Sequence, residues 1–256
     1  MNNKSSKAKK SVRKPDKYFS LAVDNFFTNP KVVVDYLKSQ PAQTSPDGSF
    51  PGKRTDPIYT MDEELNKAIM LKILGCYYDV EYQNLSWNLS WLTFHTITPF
   101  SEDKNDVRNK GWIHQDVEQS YDIAGLIYLN ENADPNAGTS IFKLKEDDNF
   151  VPSAHLALSH LFKKGEYDEE YYTEQYNNHV KHFIEKTRFQ NIYNRLIMYD
   201  PREFHGPNNY CVNRGEDRLT LVFFIGGVQA GRFPLNRIRH EEYDSYINYR
   251  CRGEKR

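Results

Sequence analysis

From residue 77 onward the chain is cut into short apolar runs rich in β-branched and aromatic side chains, with turns rather than long helices between most of them. That texture excludes a doubly wound parallel sheet, in which strands alternate with helices throughout. Residues 85–100, 112–117, 123–130, 138–144, 195–199 and 218–225 read as strands, and the aromatic and Thr content of 85–100 suits a pleated surface. Within 123–130, Ala124, Leu126 and Tyr128 share one face, and Ile123, Gly125, Ile127 and Leu129 the other. Ahead of residue 77 the pattern is mostly helical. Residues 19–27 are apolar enough for a strand, and Thr28 then caps a short helix with Pro30 in its first turn. Residues 40–57, rich in Pro, Gly, Ser and Asp, read as a long loop. Thr60 followed by Glu63 reads as the capping box of a helix that ends near Gly75. Residues 152–186 read as helix in two pieces, broken near Gly165. The fold class is therefore α+β, a β-sandwich or jelly roll braced by helices.

A chain of 256 residues is long enough for one large domain or two small ones. No stretch of eighteen apolar residues is present, which argues against a membrane helix. The opening residues lack the apolar core of a secretory signal, so a cytoplasmic location is expected. Cys76, Cys211 and Cys251 are far apart and odd in number, which fits neither a disulfide framework nor a thiolate zinc site. Charge is uneven. Residues 1–17 carry seven Lys or Arg against Asp16, whereas the rest of the chain is acidic. Such a head reads as a disordered basic tail, either plainly solvated or a tether for nucleic acid or another anionic partner. The division expected is a tail over 1–17, a single domain over 18–240 and a polar tail over 241–256. Within the domain, helical support occupies 28–75, the jelly-roll core about 77–227 and a helical insertion about 145–190.

Chemistry enters with His114-Gln115-Asp116. On a strand, residues two apart project to the same side, so an imidazole and a carboxylate share one space. With a second His they form the facial set that suits ferrous iron, leaving positions open for substrate and oxygen. His-x-Asp alone is a weak signal; its order among the following segments is not. Tyr121-Asp122-Ile123-Ala124-Gly125-Leu126-Ile127-Tyr128-Leu129-Asn130 comes next, then Gly138-Thr139-Ser140-Ile141-Phe142, then Asn194 to Asp200, then Phe204-His205-Gly206, then Arg218-Leu219-Thr220-Leu221-Val222-Phe223-Phe224. This order resembles the iron(II)/2-oxoglutarate-dependent oxygenases, particularly their prolyl-4-hydroxylase-like branch, over residues 90–227. Ala22 to Phe27 with Pro51-Gly52-Lys53-Arg54 looks like an uncharacterised set of these enzymes from phage and marine bacterial genomes.

The resemblance implies a double-stranded β-helix, a cupin-like jelly roll, with Fe(II) held by His114, Asp116 and His205. It also implies 2-oxoglutarate as cosubstrate, decarboxylated by O2 to succinate and CO2 as a substrate is hydroxylated. Relatives that halogenate generally lack the carboxylate ligand, so Asp116 favours hydroxylation. The far carboxylate of the cosubstrate needs a buried cation, and Arg218, opening an apolar strand, fits it better than Arg214 in the loop before. The other reading of Arg218 is a surface ion pair with Glu216 or Asp217. Thr220 shares a strand face with Arg218, and the resemblance gives Tyr128 a similar role. Asn88, Thr93 and His95 lie where the family lines this pocket, although a hydrogen-bonded core residue is the better reading of His95. Trp112 and Phe204 flank ligands, as water excluders or as plain core.

Rival metal sites are poorer. His240 and Glu242 have the right spacing in a polar tail, and His155, His160, His179 and His182 lie on helices whose faces read as solvated or partly packed. No phosphate-binding Gly-rich motif and no nucleophile elbow occurs, and Asn84 and Asn88 sit in glycosylation sequons that mean little without a signal peptide. For substrate, a prolyl or other peptidyl or amino-acid side chain comes first and a nucleic-acid base second. Steep salt-dependent loss of binding on deleting residues 1–17 would favour the base. The alternative from another class is a non-catalytic cupin-like module for metal or sugar.

Overall fold

The run from Arg218 to Ile225 alternates a fully apolar file with a mixed one, and the fold is organised around it. The computed structural model describes residues 17–45, 52–81, 84–117, 120–146, 150, 169–232, 234–235, 247 and 251. Its strands are β1 (Leu21–Val23), β2 (Ala42–Thr44), β3 (Lys53–Thr55), β4 (Leu85–Ser86), β5 (Leu89–Ile97) and β6 (Tyr121–Tyr128), followed by β7 (Thr139–Leu144), β8 (Phe183–Phe189), β9 (Leu196–Tyr199), β10 (Phe204–Pro207), β11 (Arg218–Gly226) and β12 (Gln229–Ala230). The helices are α1 (Pro30–Lys38), α2 (Ile58–Met61), α3 (Glu63–Leu74) and α4 (Glu169–Val180). A seven-stranded sheet runs β1-β9-β6-β11-β5-β3-β2, a three-stranded sheet runs β10-β7-β8, and β4 pairs with β12. The strand pairings are antiparallel, making this a mixed α and β protein with antiparallel sheets. No helix among the described residues is long and apolar enough to cross a membrane.

The two faces of the large sheet have different jobs. Leu221, Phe223 and Ile225 of β11 pack with Ile123 and Ile127 of β6 against Ile69, Met70 and Ile73 of α3. On the opposite face, Ala124, Leu126, Tyr128, Ile197 and Tyr199 pack on Ile141 of the small sheet. The division of 123–130 into two faces follows the sequence pattern, since strand side chains alternate. The same alternation turns Arg218, Thr220, Val222 and Phe224 inward, into a cavity between the sheets.

Several local expectations are corrected. Thr60 and Glu63 do not form a capping box. Asp62 sits directly before α3, and its carboxylate takes the Leu65 N–H at 2.9 Å, the stronger arrangement at a positive helix end. Thr28 does not cap α1; Asn29 precedes it, with Pro30 at the first position and no side-chain cap. The strand expected over 19–27 is confined to Leu21–Val23. Residues 40–57 contain β2, which ends the large sheet, and β3, which pairs with β2 on one side and β5 on the other; their backbone groups are satisfied by these pairings rather than by local propensity. Of 112–117 only His114 pairs, through a bridge to His205. Residues 183–186, expected to end a helix, instead open β8, an edge strand with charged outward side chains. The insertion over 145–190 is thus only partly helical, with α4 its one described helix. The rest of the insertion from 151 to 168, the tail over 1–16 and most residues beyond 235, including His155, His160, His240 and Glu242, lie outside the described residues.

Asn194 ties the start of the chain to the site-bearing strands. It turns into β9 at φ 60°, and its side-chain amide accepts from the Phe27 N–H and donates to the Phe27 carbonyl, both at 2.8 Å. Replacing it with Ala removes both bonds, strands two buried backbone groups and strains the left-handed φ. Asn194→Ala should lower the unfolding free energy by about 2–4 kcal/mol in urea titration at unchanged slope. A loss below about 1 kcal/mol would show that water replaces the amide.

Candidate metal centre

His114 and His205 form an antiparallel pair in which each N–H donates to the other's carbonyl at 2.9 Å. Paired residues of this kind present their side chains to the same side, and the two imidazole centroids stand 4.5 Å apart. Gly206 permits the approach: a Cβ at that position would stand 2.9 Å from the Trp112 carbonyl oxygen, against backbone that has no room to yield. Asp116 follows two residues after His114 and is fixed by its own N–H to the Pro201 carbonyl at 2.9 Å.

Both imidazoles are oriented by backbone carbonyls. His114 Nδ1 lies 2.8 Å from the Trp112 carbonyl and His205 Nδ1 2.9 Å from that of Glu203. A carbonyl only accepts, so each Nδ1 carries the hydrogen and each Nε2 presents a lone pair. His205 Nε2 is 3.1 Å from Asp116 Oδ2, and His114 Nε2 is 3.6 Å from Asp116 Oδ1. One donor atom from each residue falls within 4.8 Å of the others, and no other such group of His, Cys, Asp or Glu occurs among the described residues. Ligands about 2.1 Å from one ion and roughly at right angles stand about 3 Å apart, so the spacing fits a single ion. Two imidazoles, one carboxylate and no thiolate suit a non-haem ferrous centre with open positions. Burial acts to raise the Asp116 carboxyl, but the His205 and His114 imidazoles hold it below the usual range. Burial and its His205 neighbour push His114 down, whereas Asp116 overcomes burial to hold His205 up.

These three residues line a cavity of about 160 Å³ together with Arg218, Thr220 and His95. Sheet register explains the company. Arg54 of β3 faces His95 of β5, which faces Thr220 of β11, which faces Tyr128 of β6. Arg218 lies one inward step along β11 and is 1% exposed. Its Nη1 donates to the carbonyls of Ala137 and, at 3.1 Å, Asn209. Its carbon centre sits 5.4 Å over the Tyr128 ring, and its Nη2 is buried with no hydrogen-bond partner among the described residues. Burial pushes the guanidinium down, yet an arginine remains charged. Tyr128, pushed up by burial, donates its hydroxyl to Thr139 at 2.9 Å.

Of the other sequence candidates, His95 and Trp112 line the cavity and Arg214, Asn88 and Phe204 do not. Arg214 is at the surface, paired with Glu102 at 2.7 Å. Arg218 makes no surface ion pair with Glu216 or Asp217 because its side chain is turned into the interior. His95 is both core and cavity wall: it is hydrogen-bonded to Thr93 at 2.9 Å, and burial, with Arg54 and Arg218 nearby, drives its titration well down. Asn88 packs against Gly227, away from the cavity. Phe204 faces outward onto Phe183, with ring centres 5.1 Å apart, whereas Trp112 is buried under α4 and also lines the cavity. His179 is not on a solvated face but buried, because it leans on Trp112. Arg54, Tyr199 and Tyr210 line the cavity without having been singled out as site residues. Nothing local marks them; only the pairing of β3 with β5 shows where Arg54 goes.

Residues 7–225 match the family described as "Family of unknown function (DUF6445)". No curated protein matches the chain. Among solved structures, HygX from Streptomyces hygroscopicus with nickel and 2-oxoglutarate bound is similar at 12% identity and a TM-score of 0.44, over 81% of this chain and 83% of that one. The same protein with hygromycin B also bound gives 12% and 0.43 over the same shares. A prolyl hydroxylase from Trichoplax adhaerens, in complex with a hypoxia inducible factor peptide fragment, gives 12% and 0.41, again over 81% and 83%. These likenesses are loose in both sequence and shape.

Proposed function

We propose that this chain, which belongs to the DUF6445 family of unknown function, is an Fe(II)- and 2-oxoglutarate-dependent dioxygenase built on a double-stranded β-helix. The observation that supports it most is a juxtaposition. A facial set of two imidazoles and one carboxylate opens into the cavity that holds a buried guanidinium whose Nη2 has no hydrogen-bond partner among the described residues. A buried cation facing two carbonyls and the Tyr128 ring, with no carboxylate beside it among the described residues, is costly until an anion joins it. His114, Asp116 and His205 would hold the iron. Arg218 would hold the far carboxylate of 2-oxoglutarate by paired hydrogen bonds, with Thr220 and Tyr128 beside it. When bound, iron and 2-oxoglutarate supply the oxidation: O2 hydroxylates the substrate while 2-oxoglutarate becomes succinate and CO2.

The chain's own residues bind, orient and exclude water. The carbonyls of Trp112 and Glu203 fix the two imidazole tautomers. Leu126, Val222 and Phe224 line the remaining wall and keep it apolar. For substrate, the resemblance to the prolyl-4-hydroxylase-like branch favours an amino-acid or peptidyl side chain. Anaerobic addition of Fe(II) and 2-oxoglutarate should produce the weak visible charge-transfer band of the chelate, absent in His114→Ala. A wild-type protein that gives no band, and releases no succinate when oxygen is admitted, would sink the oxygenase reading.

A further inference from the structure

Trp112 and Ile113 immediately precede His114, and α4 lies across them. Tyr172, Tyr176 and His179 are spaced along one face of that helix and all reach Trp112. Their ring centres stand 6.3, 6.0 and 4.3 Å from the indole, and His179 is stacked on it at 21°. His179 also makes a specific bond: its Nε2 lies 2.7 Å from the Ile113 carbonyl. That oxygen only accepts, so His179 is neutral with its hydrogen on Nε2, in keeping with burial pushing it down to about 4. The residue is 3% exposed. Phe183, with its ring centre 4.9 Å away, closes another side.

The Trp112 carbonyl that sits beneath this clamp is the one that takes the Nδ1 hydrogen of His114 at 2.8 Å. Helix, tryptophan, carbonyl and imidazole therefore form one continuous chain of contacts. We propose that His179 is a positioning residue: it latches α4 onto residues 112–113 and so sets the tautomer and aim of His114 without touching the metal. This inference rests on the metal centre proposed above. It gives the insertion that carries α4 a role at the centre itself. Support one step removed from a ligand is worth roughly 10–100-fold in metal affinity, and a latch one step further out belongs at the low end.

The test uses the full chain and cobalt(II) alone, whose d–d absorption reports both occupancy and ligand geometry. His179→Phe keeps a ring against Trp112 but has no N–H to give Ile113. It should bind cobalt roughly tenfold more weakly with an altered d–d band, and His179→Gln, which retains a donor, should recover most of the loss. If His179→Phe does not fold, the half-buried Tyr176→Leu, which loosens the same clamp, should still weaken cobalt several-fold. Wild-type affinity and an unchanged band in a folded His179→Phe or Tyr176→Leu would overturn the latch while leaving the metal centre intact. A wild-type chain that binds no cobalt, just as His114→Ala binds none, would overturn the centre and the latch together.

Discussion

Asp116→Ala should yield a folded protein that no longer retains Fe(II) and releases no succinate from 2-oxoglutarate. Asp116 stands at the mouth of the cavity and is tied down by its backbone, through the Pro201 carbonyl, so its carboxylate can be removed without unmaking the strand pairing around it. What is lost is the one anionic donor of three. Structural zinc sites gain about 10–16 kcal/mol from four ligands, or roughly 2.5–4 kcal/mol each, which corresponds to about two to three decades of affinity. Isothermal titration with Fe(II) under anaerobic conditions reads this directly. Asp116→Asn sharpens the test, because it keeps the shape and removes only the charge. If either variant binds iron within threefold of wild type, the carboxylate is not a ligand, and the facial reading of this cluster fails. A simple folding defect would announce itself differently, as a fall in thermal midpoint before any metal is added.

How far the sequence reveals this site depends on the range of the interaction involved. The pair His114 and Asp116 is legible because a strand-like backbone repeats every two residues, a purely local fact. Arg218 and Thr220 are legible for the same reason, and their inward direction follows from the apolar file that alternates with them. His205 is different. Nothing within ten residues says that it meets His114; the ordered series of motifs carried that inference, and the backbone bridge between them is a long-range pairing. Arg54 and β3 are unreadable because so short a strand rests on hydrogen bonds supplied by β5 and β2, and the surrounding Pro, Gly and Ser signal a loop on any local scale. β8 reads locally as helix because it is exposed at nearly every position, so its sequence carries no strand alternation of apolar and polar residues. How deeply His179 packs is hidden for a related reason: its helix is polar overall, and only the tryptophan beneath it makes that position interior.

Arg218→Met should do two things of opposite sign. Affinity for 2-oxoglutarate should fall by about 10²–10³, the 2–5 kcal/mol typical of removing one partner from a buried charged pair. Stability of the protein without cosubstrate should hardly change, or rise. In that state the guanidinium is buried against the Ala137 and Asn209 carbonyls and the Tyr128 ring, with Nη2 unpartnered, so its desolvation is only partly offset. Burying a lone ion costs several kcal/mol even after relaxation, and stranding the two carbonyls costs about 1–3 kcal/mol each, so the two effects nearly cancel. Methionine matches the stem of the arginine and fills the same space. Differential scanning calorimetry with and without 2-oxoglutarate separates the effects. At a hundred times its dissociation constant the ligand stabilises wild type by about 2.7 kcal/mol, and at the same concentration it should leave Arg218→Met almost unmoved. Arg218→Lys keeps the charge but loses the paired geometry, and should fall between the two. Full 2-oxoglutarate affinity in Arg218→Met, together with a lowered midpoint in the absence of ligand, would mean that this arginine is a structural cation and that the cosubstrate carboxylate is held elsewhere. Stability and binding that pull apart in this way would mark Arg218 as a side chain kept for a ligand rather than for the fold.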